Sequence, residues 1–125
     1  MIAGTVNADR ESVIRLAILD ANGQVHKRDA LVDTGFNGWL SLPPSFIIAL
    51  GLLPQRSGRA ILADGSETLF DVYETAVLWD GQPLTISVYE LDAEPLLGMS
   101  LMYGYELVLP VIDGATFTLR RIANP

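Results

Sequence analysis

Cysteine is absent from the 125 residues, and histidine occurs once, at His26. Thiol nucleophiles, disulfides and Cys/His zinc sites are thereby excluded. Basic residues are few, eight against fifteen acidic ones, and they gather only in pairs such as Arg120–Arg121. With a formal charge of -7 the chain repels a phosphate backbone, so nucleic acid is not an expected partner. No phosphate loop, serine elbow or dinucleotide fingerprint occurs. The most apolar stretch, Pro95 to Ile112, is broken by Gly98, Ser100, Gly104, Glu106 and Pro110. A spanning helix needs about 20 mostly apolar residues, so no membrane is expected either. Met1-Ile2-Ala3-Gly4 offers neither the basic nor the apolar part of a secretory leader, and the cytoplasm is the default compartment.

Apolar content is what the chain has in excess: 50% of it is hydrophobic and the mean hydropathy is +0.32. The length suits one domain, residues 1–125, with one core. A domain of this size has limited interior, so part of its apolar surface is expected between subunits.

Strand patterns dominate. Ile14, Leu16 and Ile18 alternate with Arg15 and Ala17, Asp20-Ala21-Asn22-Gly23 turns, and Gln24 to Val32 returns as a hairpin partner. Residues 1–9 can supply a strand before it. Trp39 to Leu42 is a short apolar run. Pro43-Pro44-Ser45 then opens, and Gly51 closes, a short helix over Phe46 to Leu50. Arg59 to Ala63 and Thr68 to Trp79 flank a turn at Asp64-Gly65-Ser66, and Leu84, Ile86 and Val88 alternate beyond Asp80-Gly81-Gln82. Glu106 to Ile112 and Thr116 to Ile122 flank Asp113-Gly114. Short strands joined by Gly/Asp turns, with one or two short helices, specify an all-β sandwich or barrel.

The chemistry is sought where an apolar strand, Ala30-Leu31-Val32, runs into Asp33-Thr34-Gly35-Phe36-Asn37-Gly38. A carboxylate emerging there is expected to have apolar neighbours, which would perturb its proton affinity. Alone, Asp-Thr-Gly reads as ordinary turn chemistry. Downstream, however, lies Glu94-Pro95-Leu96-Leu97-Gly98-Met99-Ser100-Leu101-Met102, two leucines and a glycine before a short helical stretch. A strand into Asp-Thr-Gly, a middle hairpin, then Leu-Leu-Gly-x-x-Leu resembles the retropepsin-like aspartic proteases, the single-lobe relatives of pepsin. The insertion Leu42 to Leu52 is similar to that of small bacterial members. The resemblance covers roughly residues 13 to 122.

This resemblance implies an all-β fold, a closed barrel of retropepsin (acid protease) type with one or two short helices. It implies an aspartic endopeptidase that needs no metal or organic cofactor. Peptide hydrolysis by carboxylates takes one ionised group to accept a proton from water and one protonated group to polarise the carbonyl. One Asp-Thr-Gly is present in a chain too short for two lobes, so Asp33 must meet its copy across a twofold axis in a homodimer. Thr34 would lock the two loops through the partner's main chain. Gly35 would allow the tight turn and offer its N–H to the carboxylate. Leu96, Leu97 and Gly98 would pack beneath the loop as support.

Ala63, Asp64, Gly65 and Ser66 occupy the family's flap position, where a hairpin covers an extended peptide or protein substrate; they equally read as a plain Asp-Gly hairpin. The sequence departs from the family at Phe36, where alanine or serine is usual. That ring could line a substrate pocket, narrow the cleft, or pack against the helix at Phe46 to Leu50. The terminal strands usual for a dimer sheet would be residues 1–9 or 120–125. His26 reads as an exposed polar residue, Trp39 and Trp79 as core or interface aromatics, and Asp20, Glu90, Asp92 and Glu94 as turn and solvent-face charges. Two other readings stay open. One is a non-catalytic dimer of the same fold that binds a peptide or partner protein in its cleft. The other is an unrelated β-barrel module with Asp33 in an exposed turn.

Overall fold

The computed structural model describes residues 1–123. Its elements run β1 (Ile2–Val6), β2 (Ser12–Leu19), β3 (Val25–Val32), β4 (Leu40–Leu42), α1 (Pro44–Leu50), β5 (Arg56–Ile61) and β6 (Glu67–Trp79). They continue with β7 (Gln82–Glu90), β8 (Leu96–Leu97), α2 (Met99–Met102), β9 (Tyr105–Val108) and β10 (Thr116–Arg121). Neither helix among these is long and apolar enough to cross a membrane.

Alternation decides the faces. Along β2, Ile14, Leu16 and Ile18 are buried at 3%, 2% and 0% exposure, while Arg15 between them is exposed. The β2–β3 corner is held by one side chain: Asp20 Oδ1 accepts from the N–H groups of Asn22 (2.8 Å) and Gln24 (2.9 Å), and Gly23 takes the left-handed φ of 79° the turn needs. Helix α1 starts with Pro44 in its first turn and stops at Gly51, whose φ of 69° lets its N–H reach Ile48 O at 2.9 Å. Ile47 and Leu50 face inward.

The ten strands are ordered β5-β6-β7-β4-β8-β3-β2-β1-β10-β9, and β6 also pairs with β2. Pairing therefore runs β2-β3-β8-β4-β7-β6 and returns to β2 through Ala17↔Leu78 and Ile18↔Val77. Where a closed barrel was expected, the result is a ring of strands with a seam of two residue pairs. Its interior holds Ile18, Leu40, Val77, Val88 and Leu97, all at 0% exposure. Beyond the ring, β1, β10 and β9 extend the sheet, with Phe117 and Leu119 of β10 turned inward.

The strand expected over Glu106 to Ile112 ends at Val108. Pro110 has no N–H for a ladder, and the chain instead folds back on itself through Ile112 N–H to Pro110 O (3.0 Å) and Ala115 N–H to Ile112 O (2.9 Å). Of the C-terminal residues 120–125 considered for a dimer sheet, Arg120 and Arg121 belong to β10, while residues 124 and 125 lie outside the described residues.

Candidate active site

β3 and β8 run parallel, with Leu31 opposite Leu96 and Val32 opposite Leu97. Asp33 is the first residue past this pairing, half-buried, and its N–H donates to Leu97 O at 2.9 Å. β8 also pairs with β4 through Leu40↔Leu97 and Ser41↔Leu96, so the two leucines lie between the strand entering the loop and the strand leaving it. Ser41, 1% exposed, spends its hydroxyl on the Leu96 N–H at 3.1 Å.

The loop between those strands is zipped to the start of α2. Gly98 N–H donates to Trp39 O (3.0 Å), Met99 N–H to Phe36 O (2.8 Å) and Ser100 N–H to Gly38 O (3.1 Å), and Ser100 Oγ reaches Asn37 O at 2.5 Å. Each bond contributes only about 1 kcal/mol, but together they leave the loop little freedom. Within the loop, Gly35 N–H donates to Asp33 Oδ1 (2.9 Å) and Phe36 N–H to Asp33 O (3.2 Å). A Cβ on Gly35 would stand 3.2 Å from that same carboxylate oxygen, so a larger residue would crowd the group it serves.

Glycine is required at two further places by close approach. A Cβ on Gly98 would collide with the Gly38 carbonyl oxygen and stand 2.7 Å from the Phe36 ring. One on Gly38 would meet the same ring at 2.5 Å and Tyr89 at 3.0 Å. Phe36 is thus folded back over the glycines of its own loop. Its ring is edge-on to Tyr89 (centroids 5.6 Å, 68°), and Tyr89 packs on Phe70 of β6 at 4.8 Å. Of the three places open to Phe36, packing against α1 is not among the contacts its ring makes here. Phe46 of that helix instead receives the edge of His26 at 6.2 Å and the Arg28 guanidinium at 5.2 Å.

Thr34 is exposed beside Asp33 and lines a groove of about 310 Å³ with Met99, Met102, Tyr103 and Leu107. Ala63, Asp64, Gly65 and Ser66 form the tip of the β5–β6 hairpin. Their bonds stay inside it: Leu62 N–H to Ser66 O (2.8 Å), and both the N–H (2.9 Å) and hydroxyl (2.6 Å) of Ser66 to Asp64 Oδ1. The Ser66 hydroxyl, then its N–H, hold the Asp64 carboxyl below the usual range. Ile61, Leu62 and Leu69 make the tip apolar, at 75%, 48% and 69% exposure. No hydrogen bond joins this tip to the Asp33 loop among the described residues.

His26 is not simply exposed. It is half-buried, and its Nε2 lies 2.8 Å from Asp20 Oδ2, which completes the clamp on the hairpin corner. Trp79 is buried in the core, where its Nε1 has no hydrogen-bond partner among the described residues, and Trp39 is half-buried against the core cluster. No three His, Asp or Glu side chains converge to hold a metal ion among the described residues.

Neither a family model nor a curated protein matches the chain. Among solved structures it is similar to a retropepsin-like aspartic protease from Rickettsia conorii, at 22% identity and a TM-score of 0.60, over 98% of this chain and 91% of that one. A likeness at that identity speaks to architecture. The chain has a retropepsin-like fold.

Proposed function

We propose that the protein is an aspartic endopeptidase that works as a homodimer of single-domain subunits, each giving one Asp33 to a water-activating dyad. The observation that carries the reading is the fixing of Asp33: the β3–β8 pairing, the Leu97 carbonyl and the Gly35 N–H hold the carboxyl at the mouth of the loop. A reaction that moves protons between water, carboxylates and a peptide carbonyl needs that fixed placement.

The roles follow from acid–base chemistry. Two Asp33 carboxylates brought together share one proton, because like charges about 3 Å apart cannot both ionise. The ionised member takes a proton from water as its oxygen attacks the peptide carbonyl; the protonated member donates to the carbonyl oxygen. The resulting tetrahedral diol collapses as the nitrogen leaves with a proton. Gly35 N–H stabilises one carboxylate oxygen, and Thr34 bridges to the partner loop. The hairpin tip at Ala63 to Ser66 closes over an extended peptide, with Ile61, Leu62 and Phe36 selecting apolar side chains. Mildly acidic pH favours the shared proton, and the cytoplasm is the compartment we assign.

The test is digestion of a peptide library by wild type and Asp33→Asn, with the oligomeric state of both measured. Cleavage should fall by at least about 10²-fold in the variant while the dimer persists, and a statine-type mimic should inhibit wild type. Cleavage unchanged in Asp33→Asn would place the chemistry elsewhere. Tight binding of the mimic with no turnover would favour a peptide-binding module. Phe36, which has no hydroxyl to offer the outer carboxylate oxygen, is the specific feature pointing that way.

A further inference from the structure

Tyr103, at the end of α2, is 81% exposed, and three grooves converge on it. The first, about 310 Å³, is bounded by Thr34, Met99, Met102 and Leu107. The second, about 330 Å³, is bounded by Asn37, Trp39 and Ser100. The third, about 390 Å³, runs between Trp39 and Trp79. An isolated exposed aromatic needs no explanation, but this one stands beside Met99, itself 46% exposed, on the face that carries Thr34.

Two considerations say what covers this face. The first is charge. The chain carries -7, so two copies repel wherever their acidic surfaces meet, yet among the described residues none that lines the first two grooves is charged. A neutral apolar face is where a copy can approach; a basic partner would gain nothing there. The second is geometry, and it rests on the dyad reading above. If two Asp33 carboxylates lie within about 3 Å, the twofold axis passes beside them. Thr34 is one residue on, about 3.8 Å along the chain, so the groove it borders must face the second subunit. In an isologous contact the knob on one copy meets the surface that faces it on the other.

We propose that Tyr103 anchors the dimer, its ring entering the partner's groove between α2 and β9 while the partner's equivalent ring enters this one. The occupant of that groove is a second copy of this chain.

The experiment is sedimentation equilibrium of the full chain over a concentration series, with peptidase activity followed over the same series. Wild type is compared with Tyr103→Ala, Tyr103→Phe and, as a control, Ile48→Ala, which truncates an apolar side chain 77% exposed on α1. Since Tyr103 occurs twice per dimer, Tyr103→Ala should weaken dimerisation about 100-fold or more, with specific activity lost on dilution and regained at high concentration. Tyr103→Phe keeps the ring and should stay near wild type, and Ile48→Ala should not differ from it. Should the alanine variant fold poorly, Tyr103→Glu, which sets two carboxylates against neutral grooves, should give a folded monomer. A dimeric, active wild type whose dissociation constant is unmoved by either substitution would overturn the anchor and leave the dyad reading standing. A wild type that is monomeric at every concentration would overturn both. An inactive dimer that Tyr103→Ala dissociates would sustain the interface and overturn the peptidase.

Discussion

Gly98→Ala isolates the close approach beneath the Asp33 loop. Gly98 has φ -102° and ψ 178°, extended backbone open to any residue, so the substitution introduces no torsional strain. By restricting the unfolded chain it would even stabilise by about 0.4–1 kcal/mol. The opposing effect is steric. The new methyl collides with the Gly38 carbonyl oxygen and stands 2.7 Å from Phe36 Cδ2 and 2.8 Å from Phe36 O. Two of these three are main-chain oxygens, which cannot swing aside, and both are in use, accepting from Ser100 (3.1 Å) and Met99 (2.8 Å). Overpacking of this kind costs about 1–3 kcal/mol, and each displaced hydrogen bond adds about 1. The net loss should be about 2–4 kcal/mol, read by urea denaturation or as a fall of roughly 3–6 °C in Tm per kcal/mol. Gly114→Ala is the counterpart: φ there is +81° and no described residue lies within 4 Å of the added Cβ, so only left-handed strain acts, worth about 1 kcal/mol. Cleavage should fall in Gly98→Ala beyond the fraction unfolded, since Leu97 O fixes Asp33, and should persist in Gly114→Ala. A Gly98→Ala cost under about 1 kcal/mol, or one smaller than that of Gly114→Ala, would refute the crowding argument.

Three further outcomes follow from neighbouring contacts. Phe36→Ala removes a half-buried ring from Tyr89 and two glycines and should cost about 2 kcal/mol by denaturation; no loss would mean the ring contributes no packing. Phe36→Ser adds a hydroxyl beside the Asp33 loop and should shift the pH profile of cleavage; an unchanged profile would remove residue 36 from the carboxylates' surroundings. Asp20 is held below the usual carboxylate range, chiefly by its hydrogen bond with His26 and then by the Gln24 N–H. A depressed folded-state value gives stability that is fully present above the unfolded value of about 4 and is lost as pH falls through the folded one. Tm should therefore drop more between about pH 5 and about pH 3 in wild type than in Asp20→Asn, and equal drops would count against the clamp.

Turn and cap chemistry is legible in the sequence, whereas the partner each side chain finds is not. The β2–β3 corner was readable because its turn chemistry, from Asp20 to Gly23, is local, and helix α1 was readable from the prolines before it and Gly51 after it. Side-chain partners and one strand end are less legible. His26 reads as a solvent residue in the sequence, because nothing in a period of two says that Asp20, across the turn, has an oxygen to spare for it. The ring of Phe36 lies over Gly38 and against Tyr89, a residue more than fifty positions away that no local pattern names. Apolar character alone extends the strand after Glu106 to Ile112, but the missing N–H of Pro110 leaves it ending at Val108.

The exposure of Tyr103 is likewise not written in the local sequence. In the sequence it is one more aromatic at the end of a short helical stretch, with the burial such residues usually find. Its exposure follows from the topology: β8 must lie between β3 and β4, α2 must start where Gly98 meets the loop, and Tyr103 is then carried past the core. The Gly98 contact beneath the Asp33 loop thus also sets Tyr103 outside, on the face where Thr34 emerges. Site and surface are consequences of one close approach, so a lesion at Gly98 should weaken association as well as cleavage, whereas truncating Tyr103 should weaken association while leaving the loop's hydrogen bonds intact.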